Sequence, residues 1–224
     1  MSLKGTGAVA IWHNLVPEAK PEFYQWHARE HMPERMAIPG FLRGRRYSAV
    51  KSAVTGAPEY FNLYEADSLS TVGGADYLNR LNNPTAWTRK VVAEFREVAR
   101  STCDVVLSCG QGDGGYIQTL CLPVCSDACA AALTATVLPE IAQHSGISAV
   151  HFLITDIAIA TIETREKAAR ANGTLVPTHI ILIEGVSQDH VATAAVAVLA
   201  AIGQSADTVS QASYVLEHAT ERHV

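Results

Sequence analysis

Two histidines four residues apart, His27 and His31, are the side chains whose type and spacing most directly indicate chemistry. Positions four apart share one face of a helix, so the two imidazoles would point the same way. A histidine titrates near neutral pH and can take a proton from a ring hydroxyl or an activated carbon. We therefore expect His31 to act as a general base beside His27. The alternative is that both imidazoles only make surface or interhelical hydrogen bonds.

The same segment also matches the inverted zinc-peptidase pattern His-x-x-Glu-His, with Glu30 as its carboxylate. A third ligand would have to be a distant residue such as Glu94 or Glu97. Pro33 follows the second histidine by two residues and should end or kink the helix there. Since the overall topology is also wrong for those peptidases, we expect no metal at this segment.

Three arginines follow on one predicted strand, Arg43, Arg45 and Arg46. Side chains alternate along a strand, which puts Arg43, Arg45 and Tyr47 on the face of Phe41 and Arg46 on the other. An enclosed arginine needs a carboxylate or an anionic ligand. The sequence leaves two interpretations open: an anion site for a carboxylated or phenolate substrate, or structural pairs and a solvated sheet edge. The carboxylates available as internal partners are Glu30, Glu34 and Glu65.

Aromatic side chains on the first and third predicted strands could wall a pocket next to these groups. Trp12 lies near the end of the first strand, and Tyr64 lies on the third. We expect both to bind substrate, with ordinary core packing as the alternative.

The motif region occurs twice, because residues 32–41 return as residues 138–147 with Pro, Glu and Gly conserved in place. The offset between the copies is 106 positions, near half of the 224-residue chain. His27 and His31 become Leu133 and Val137 in the second copy, so the ionisable groups belong to the first. We therefore expect one functional site, in the first half. The offset later grows to 119, which predicts a longer surface loop or a short added helix within 161–174.

The elements that must position these residues follow the order β-α-β-β-α-β, and the second half repeats it. The pattern predicts a helical stretch from about 70 to 100, interrupted near 82–84, and a strand over 102–108. Four glycines in 110–115 indicate a linker. The predicted organisation is thus a repeat over 1–109 that bears the site, the linker, and a structural partner repeat over 116–224. This is an α+β fold, in which two tandem ferredoxin-like units bury their sheet faces against each other as a pseudo-dimeric α/β barrel.

Composition narrows the function classes. Apolar residues make up 48% and charged residues 17%, which excludes an extended disordered chain. A net charge of −5 without a basic arm argues against a nucleic-acid partner. No apolar run reaches the length of a membrane span, and 191–202 is expected to be a core-facing helix. Five cysteines and no secretory signal favour reduced thiols in the cytoplasm. One sequence leaves open whether the Met1-Ser2-Leu3 start belongs to the natural chain.

The run Trp26–Phe41, with His31, Pro33 and Ile-Pro-Gly ahead of an arginine-rich strand, resembles the EthD-like branch of the dimeric α/β-barrel superfamily. The resemblance implies a cavity within or beside the barrel and places the family's histidine at His31. It also implies cofactor-free oxygenation, isomerisation or cyclisation of small ring compounds, with haem chemistry in other branches. This fold hosts too many activities for the likeness to settle one.

From these residues and this likeness we expect a protein that binds a small ring or polyketide-like compound without a metal or organic cofactor. His31 would be the base, and His27 or the arginines would steady the developing charge. A non-catalytic binding or accessory protein and a haem-binding barrel are the alternatives. A homodimer of the whole chain is left open.

Overall fold

Eight antiparallel strands close into a barrel in a computed structural model that describes residues 3–50 and 57–222. Outside the described residues lie His223 and the first two residues of the Met1-Ser2-Leu3 start, whose natural origin the sequence left open. The strands are β1 (Gly7–Leu15), β2 (Phe41–Ala49), β3 (Tyr60–Ala66), β4 (Phe95–Gly110), β5 (Tyr116–Leu122), β6 (Ile147–Thr155), β7 (His179–Gly185) and β8 (Ser210–Glu221). Around the barrel they follow the order β1-β3-β2-β8-β5-β7-β6-β4. The predicted α+β class and the closed barrel are confirmed.

Helices cover the outside of this barrel. The α-helices are α1 (Lys20–Trp26), α2 (Met32–Met36), α3 (Leu69–Val72), α4 (Ala75–Asn82), α5 (Ala86–Val92), α6 (Asp127–Ala132), α7 (Leu138–Ile141), α8 (Ile157–Ala160), α9 (Arg165–Ala168) and α10 (Gln188–Ala201). The segment 191–202 lies largely in α10, whose buried side chains include Val191 and Leu199, as expected for a core-facing helix. Among the described residues, no helix is long and apolar enough to cross a membrane.

Two π-helical turns, His27–His31 and Leu133–Val137, lie 106 positions apart in the two halves of the chain. Met32 N–H donates to the carbonyl of His27, the five-residue hydrogen bond that widens the turn. Pro33 follows in α2, which continues to Met36. Of the two effects predicted for Pro33, it does not end the helix, but the helix is irregular in the π turn just before it, where proline is tolerated.

The fourth strand begins earlier than the sequence predicted. Residues 95–100 were expected to be helical, but they pair with β1, with Phe95 opposite Leu15 and Ala99 opposite Trp12. Glu97 has a φ of 50°, a backbone conformation that no helix accommodates. Pairing with β1 thus outweighs the helical pattern of this stretch.

Side chains fill the interior of the barrel. Phe61 lies 4.9 Å from Trp12 and 5.7 Å from both Tyr47 and Tyr214, measured between ring centroids. All four residues are almost fully buried. An eight-stranded barrel is just wide enough for side chains to fill, so at this level the interior is core rather than a ligand cavity.

Candidate functional site

The π turn places His27 and His31 against the outer face of β2 and β3. Both imidazoles are buried, with 2% and 5% of their surface exposed. Their ring centroids are 5.4 Å apart, and Tyr64 of β3 lies below them on the sheet. A π turn inside a helix is frequently found at functional sites, because it re-aims side chains at the cost of regular hydrogen bonding. The four-residue spacing therefore does bring the two histidines to one face, as predicted.

His27 is held by hydrogen bonds at both ring nitrogens. Arg46 Nη1 lies 3.2 Å from His27 Nδ1, and an arginine can only donate, so Nδ1 is the acceptor. The proton of the neutral ring is then on Nε2, which donates to Tyr64 Oη at 3.2 Å. Burial, reinforced by the Arg46 charge, lowers the pKa of His27 well below its ordinary value. His27 is therefore a neutral link between Arg46 and Tyr64.

His31 differs, because its Nδ1 is buried and has no hydrogen-bond partner among the described residues. The Trp26 ring covers the imidazole, with centroids 4.3 Å apart. Burial, followed by the charge of Arg35, lowers the pKa of His31 well below its usual value. Leaving a buried polar atom unpaired costs about 1–3 kcal/mol and calls for a specific reason. A neutral imidazole with an unused nitrogen is what a general base requires.

A third histidine, His13 at the end of β1, joins this cluster and was not predicted as a site residue. Its Nδ1–H donates to the carbonyl of Asn14 at 3.3 Å, and Nε2 accepts from Asn62 Nδ2 at 3.1 Å. The ring stacks on Phe95 with a centroid distance of 4.0 Å. Burial lowers its pKa to about 3. Asn62 was also missed, although it lies two residues from both Tyr60 and Tyr64 on β3 and therefore shares their face.

These three neutral histidines predict an unusual acid sensitivity of folding. A buried histidine with a lowered pKa stays neutral in the folded chain but gains a proton in the unfolded chain below about pH 6.5. Stability should therefore fall as the pH drops from about 6.5 toward 5, by on the order of 1 kcal/mol per pH unit for each histidine. Urea unfolding at pH 7.0, 6.0 and 5.0 measures this, and His13→Gln should flatten the slope. An equal slope in that variant would contradict the assignment.

Two of the three arginines of β2, Arg43 and Arg45, form a separate group inside the barrel. Arg43 donates twice to Glu65 at 2.8 Å and once to Asp113 at 2.5 Å. Arg45 contacts both oxygens of Glu184 at 2.9 Å and lies 3.0 Å from Glu65. The sequence named Glu65 as an available partner but not Glu184 or Asp113. Because carboxylates neutralise both guanidinium groups, this cluster has the form of the structural alternative weighed above.

The predicted site residues are consequently divided between the two faces of the sheet. Trp12, Arg43, Arg45 and Tyr47 face the barrel interior, where Trp12 Nε1 donates to Thr119 Oγ1 at 3.3 Å. His27, His31 and Tyr64 lie outside, under the helix. The structure does not bring His31 together with Arg43 or Arg45; of the three arginines on β2, Arg46 is the one that contacts His27.

Phe41 was expected on the face of Arg43, but it packs among the helices outside the barrel. A register shift between Phe41 and Arg43, where β2 pairs with β3, reverses the alternation at this point.

The carboxylates named for a zinc site have other partners. Glu30 accepts hydrogen bonds from Thr85 Oγ1 at 2.6 Å and Thr88 Oγ1 at 3.2 Å. Glu97 accepts from Asn14 at 2.5 Å. In the described ranges, no three histidine, cysteine or carboxylate side chains are grouped so that they could hold a metal ion.

The second half keeps the turn but not the chemistry. Its π turn presents Leu133, which is fully buried in an apolar cluster with Leu138 and Phe152. The same backbone irregularity therefore carries ionisable groups in one half and core packing in the other.

Comparison with known proteins gives structural but no sequence matches. No family model matches the chain, and no curated protein does. A crystal structure of an anthrone oxidase-like protein matches with a TM-score of 0.63 and 14% identity over 99% of this chain and 94% of that one. A protein described as a putative monooxygenase from Fusobacterium nucleatum matches with a TM-score of 0.57 and 11% identity, over 98% of this chain and 96% of that one. A second protein described in this way, from Lactobacillus acidophilus, matches with a TM-score of 0.54 and 12% identity over 97% of each chain. The chain therefore shares its overall fold with these three proteins.

Proposed function

We propose that the chain binds a small, partly apolar ring compound between the π turn and the outer sheet face of its first half, and that His31 removes a proton from it. The observation that carries this proposal is the buried Nδ1 of His31, which has no hydrogen-bond partner among the described residues, beside a His27 whose two ring nitrogens are both hydrogen-bonded. The fold it shares with an anthrone oxidase-like protein supports cofactor-independent oxygenation, with dioxygen as the oxidant, ahead of isomerisation or cyclisation.

The proposed site also contains a donor for the negative charge that proton removal creates. Since Tyr64 Oη accepts a hydrogen bond from the N–H at His27 Nε2, its own O–H is still available to donate. Burial raises the pKa of Tyr64, which keeps this hydroxyl protonated. A ring hydroxyl or acidic ring carbon would lose its proton to His31 while Tyr64 donates to the developing oxyanion. Arg46 acts through His27, which it holds in the tautomer that faces Tyr64.

The architecture we propose is the fused pair of ferredoxin-like units, with EthD-like proteins as the related branch. The barrel order separates into β4-β1-β3-β2 and β8-β5-β7-β6, in which the strands of the second half follow the same order as their counterparts in the first. Gly40 and Gly146, 106 positions apart, both have φ near +80°. These correspondences support a repeat whose first half, 1–109, carries the site and whose second half, 116–224, is its partner.

Haem fits this site poorly. Both ring nitrogens of His27 and of His13 are used in hydrogen bonds. Of the three histidines in this cluster, only His31 could therefore hold a haem iron. The Trp26 ring lies against the His31 imidazole, where a macrocycle would have to pack. When haem is added to the purified protein, we expect the visible spectrum to be that of free haem in the same buffer, with no new band.

Trp26 offers a direct test of where the ring compound binds. Anthrones, hydroxylated naphthalenes and polycyclic phenols should be screened for oxygen consumption and for a change in tryptophan emission. A ligand next to His31 should alter the emission of the wild-type protein, and Trp26→Phe should abolish that response. The partly buried Trp87 is the matched control, because Trp87→Phe should preserve it. The site is refuted if the response survives in Trp26→Phe, and catalysis is refuted if bound compounds are never turned over.

A further inference from the structure

The second half of the chain supplies a carboxylate beside the histidine pair of the first half. Its extra residues include the short helix α9, as expected for the segment 161–174. This helix carries Glu166, which accepts a hydrogen bond from Arg35 Nη2. Arg35 follows His31 by one helical turn. The second half therefore provides a counter-ion next to the candidate site.

A second carboxylate of the second half is connected to the site itself. Arg46 Nε donates to Glu217 Oε2 of β8 at 3.0 Å. The Arg46 side chain is 7% exposed, and that of Glu217 is 24% exposed. Arg46 Nη1 is the group that donates to His27 Nδ1. The carboxylate and the imidazole are thus joined by one guanidinium group.

The pairing of β8 with β2 is irregular at Glu217. Arg46 lies opposite His218 and Tyr47 lies opposite Leu216, so Glu217 is an extra residue between two paired positions. A bulge of this kind bends the strand and re-aims a side chain, and such bulges are over-represented next to active sites. The bulge therefore falls at the carboxylate that contacts Arg46.

Aromatic side chains of α1 hold the same guanidinium group. Arg46 Cζ lies 4.7 Å from the ring centroid of Tyr24 and 5.7 Å from that of Phe23. Tyr24 Oη also donates to the other carboxylate oxygen of Glu217, Oε1, at 3.1 Å. A guanidinium that is stacked on a ring and paired with a carboxylate has little freedom to turn away from His27.

The tautomer of His27 decides the direction of its hydrogen bond with Tyr64. A neutral imidazole has one donor nitrogen and one acceptor nitrogen. While Arg46 donates to Nδ1, the proton is on Nε2, and the Tyr64 O–H is available to another acceptor. Without that donor the ring can carry its proton on Nδ1, and Nε2 then accepts from Tyr64. The hydroxyl proton of Tyr64 would in that case be used by His27.

We propose that Glu217 is a positioning residue, which holds Arg46 against His27 and so fixes the tautomer of that ring. Its effect is to keep the Tyr64 hydroxyl available to the developing oxyanion, so this inference rests on the proton removal proposed for His31. The second half then does more than complete the barrel, because one of its carboxylates sets the direction of a hydrogen bond in the first half.

The tautomer of His27 can be measured without a substrate, by long-range proton–nitrogen NMR of protein labelled with nitrogen-15 histidine. In the wild-type protein Nε2 should carry the proton, and His27→Gln identifies the signal by removing it. In Glu217→Ala the signal should shift toward the tautomer with the proton on Nδ1. Glu221→Ala is the matched control, because it removes an exposed carboxylate of the same strand that pairs with Lys4, and it should leave the tautomer unchanged.

Turnover of an identified substrate provides the second measurement. Glu217→Ala should lower kcat by about 10- to 100-fold with KM little changed, which is less than the loss of about 10²- to 10³-fold on removing an oxyanion donor. Tyr64→Phe removes the hydroxyl through which Glu217 acts. Adding Glu217→Ala to that variant should therefore cause no further loss, whereas a merely structural effect would lower kcat again.

Two results would overturn the proposal: a proton that stays on Nε2 of His27 in Glu217→Ala, or losses of kcat that add up in the double variant. If Glu217→Ala fails to fold, Glu217→Gln replaces it, because the amide keeps an acceptor for Arg46 without the charge. A partial shift toward the Nδ1 tautomer is then expected, and an unchanged tautomer overturns the proposal. Unchanged turnover in His31→Gln would reject the general base without altering the tautomer of His27, so the two proposals fail separately.

Discussion

Replacement of His31 by glutamine is expected to lower turnover of the ring substrate by about 10²- to 10⁴-fold, the usual contribution of a positioned general base. Glutamine keeps a polar side chain of similar length but cannot accept a proton at neutral pH. Because His31 is buried, the amide of glutamine should lower the free energy of unfolding by about 1–3 kcal/mol. Under conditions in which both proteins are folded, the loss of activity should fall on kcat.

The pH dependence of turnover by the wild-type protein is a second test of the proposed role of His31 as a general base. The lowered pKa of His31 means that the base stays unprotonated below pH 6.5. The rate should thus be flat near neutrality and decline only at lower pH, and the His31→Gln variant should lose that decline. His144→Gln, the same substitution at an exposed histidine of the second half, is the matched control. Unchanged kcat in His31→Gln would reject the catalytic role.

Replacement of Glu184 by glutamine is expected to lower the free energy of unfolding by about 3–5 kcal/mol, the cost of removing one partner of a buried ion pair. Glu184 is fully buried and accepts from Arg45, from His151 at 3.2 Å and from the Gly114 N–H at 3.0 Å. A neutral amide would leave the Arg45 charge in the barrel without this counter-ion. Urea unfolding at pH 7 measures the loss.

Acid should reproduce part of that loss in the wild-type protein. Burial alone would raise the pKa of Glu184, but Arg45 and His151 outweigh it and hold the value at about 2. The stabilisation is therefore present above about pH 4.5 and disappears as the pH falls toward 2, a window below that of the histidines. Glu22→Gln, which removes an exposed pair with Lys90, should cost less than about 1 kcal/mol. An equal cost in the two variants would contradict the role of burial.

Local patterns were sufficient for most of the framework. Ser126 and Ser187 are typical helix-capping residues, and each accepts a hydrogen bond from the backbone N–H three residues on. The glycines of 110–115 separate β4, which ends at Gly110, from β5, which begins at Tyr116. Residues 95–100 could not be assigned correctly, because long-range pairing with β1 decides their conformation.

The composition of the site was only partly predictable, because strand alternation is interrupted by irregularities that a sequence does not mark. His27, His31 and Tyr64 were identified and do lie together. Arg43 and Arg45 were grouped with them, although the sheet separates the two sets. Arg35 and Glu166 pair across 131 positions of sequence, and no local spacing indicates such a contact.

The contact between Glu166 and Arg35 has a consequence for how this chain can be divided. Arg35 Nη2 donates to Glu166 Oε2 at 2.5 Å, and both side chains are almost fully buried. Glu166 follows the linker 110–115 in the sequence, so a fragment that ends at residue 109 would lack this carboxylate. Arg35 would then be left with an uncompensated charge beside His31. Covalent continuity of the chain therefore keeps the carboxylate that neutralises Arg35 on the same molecule.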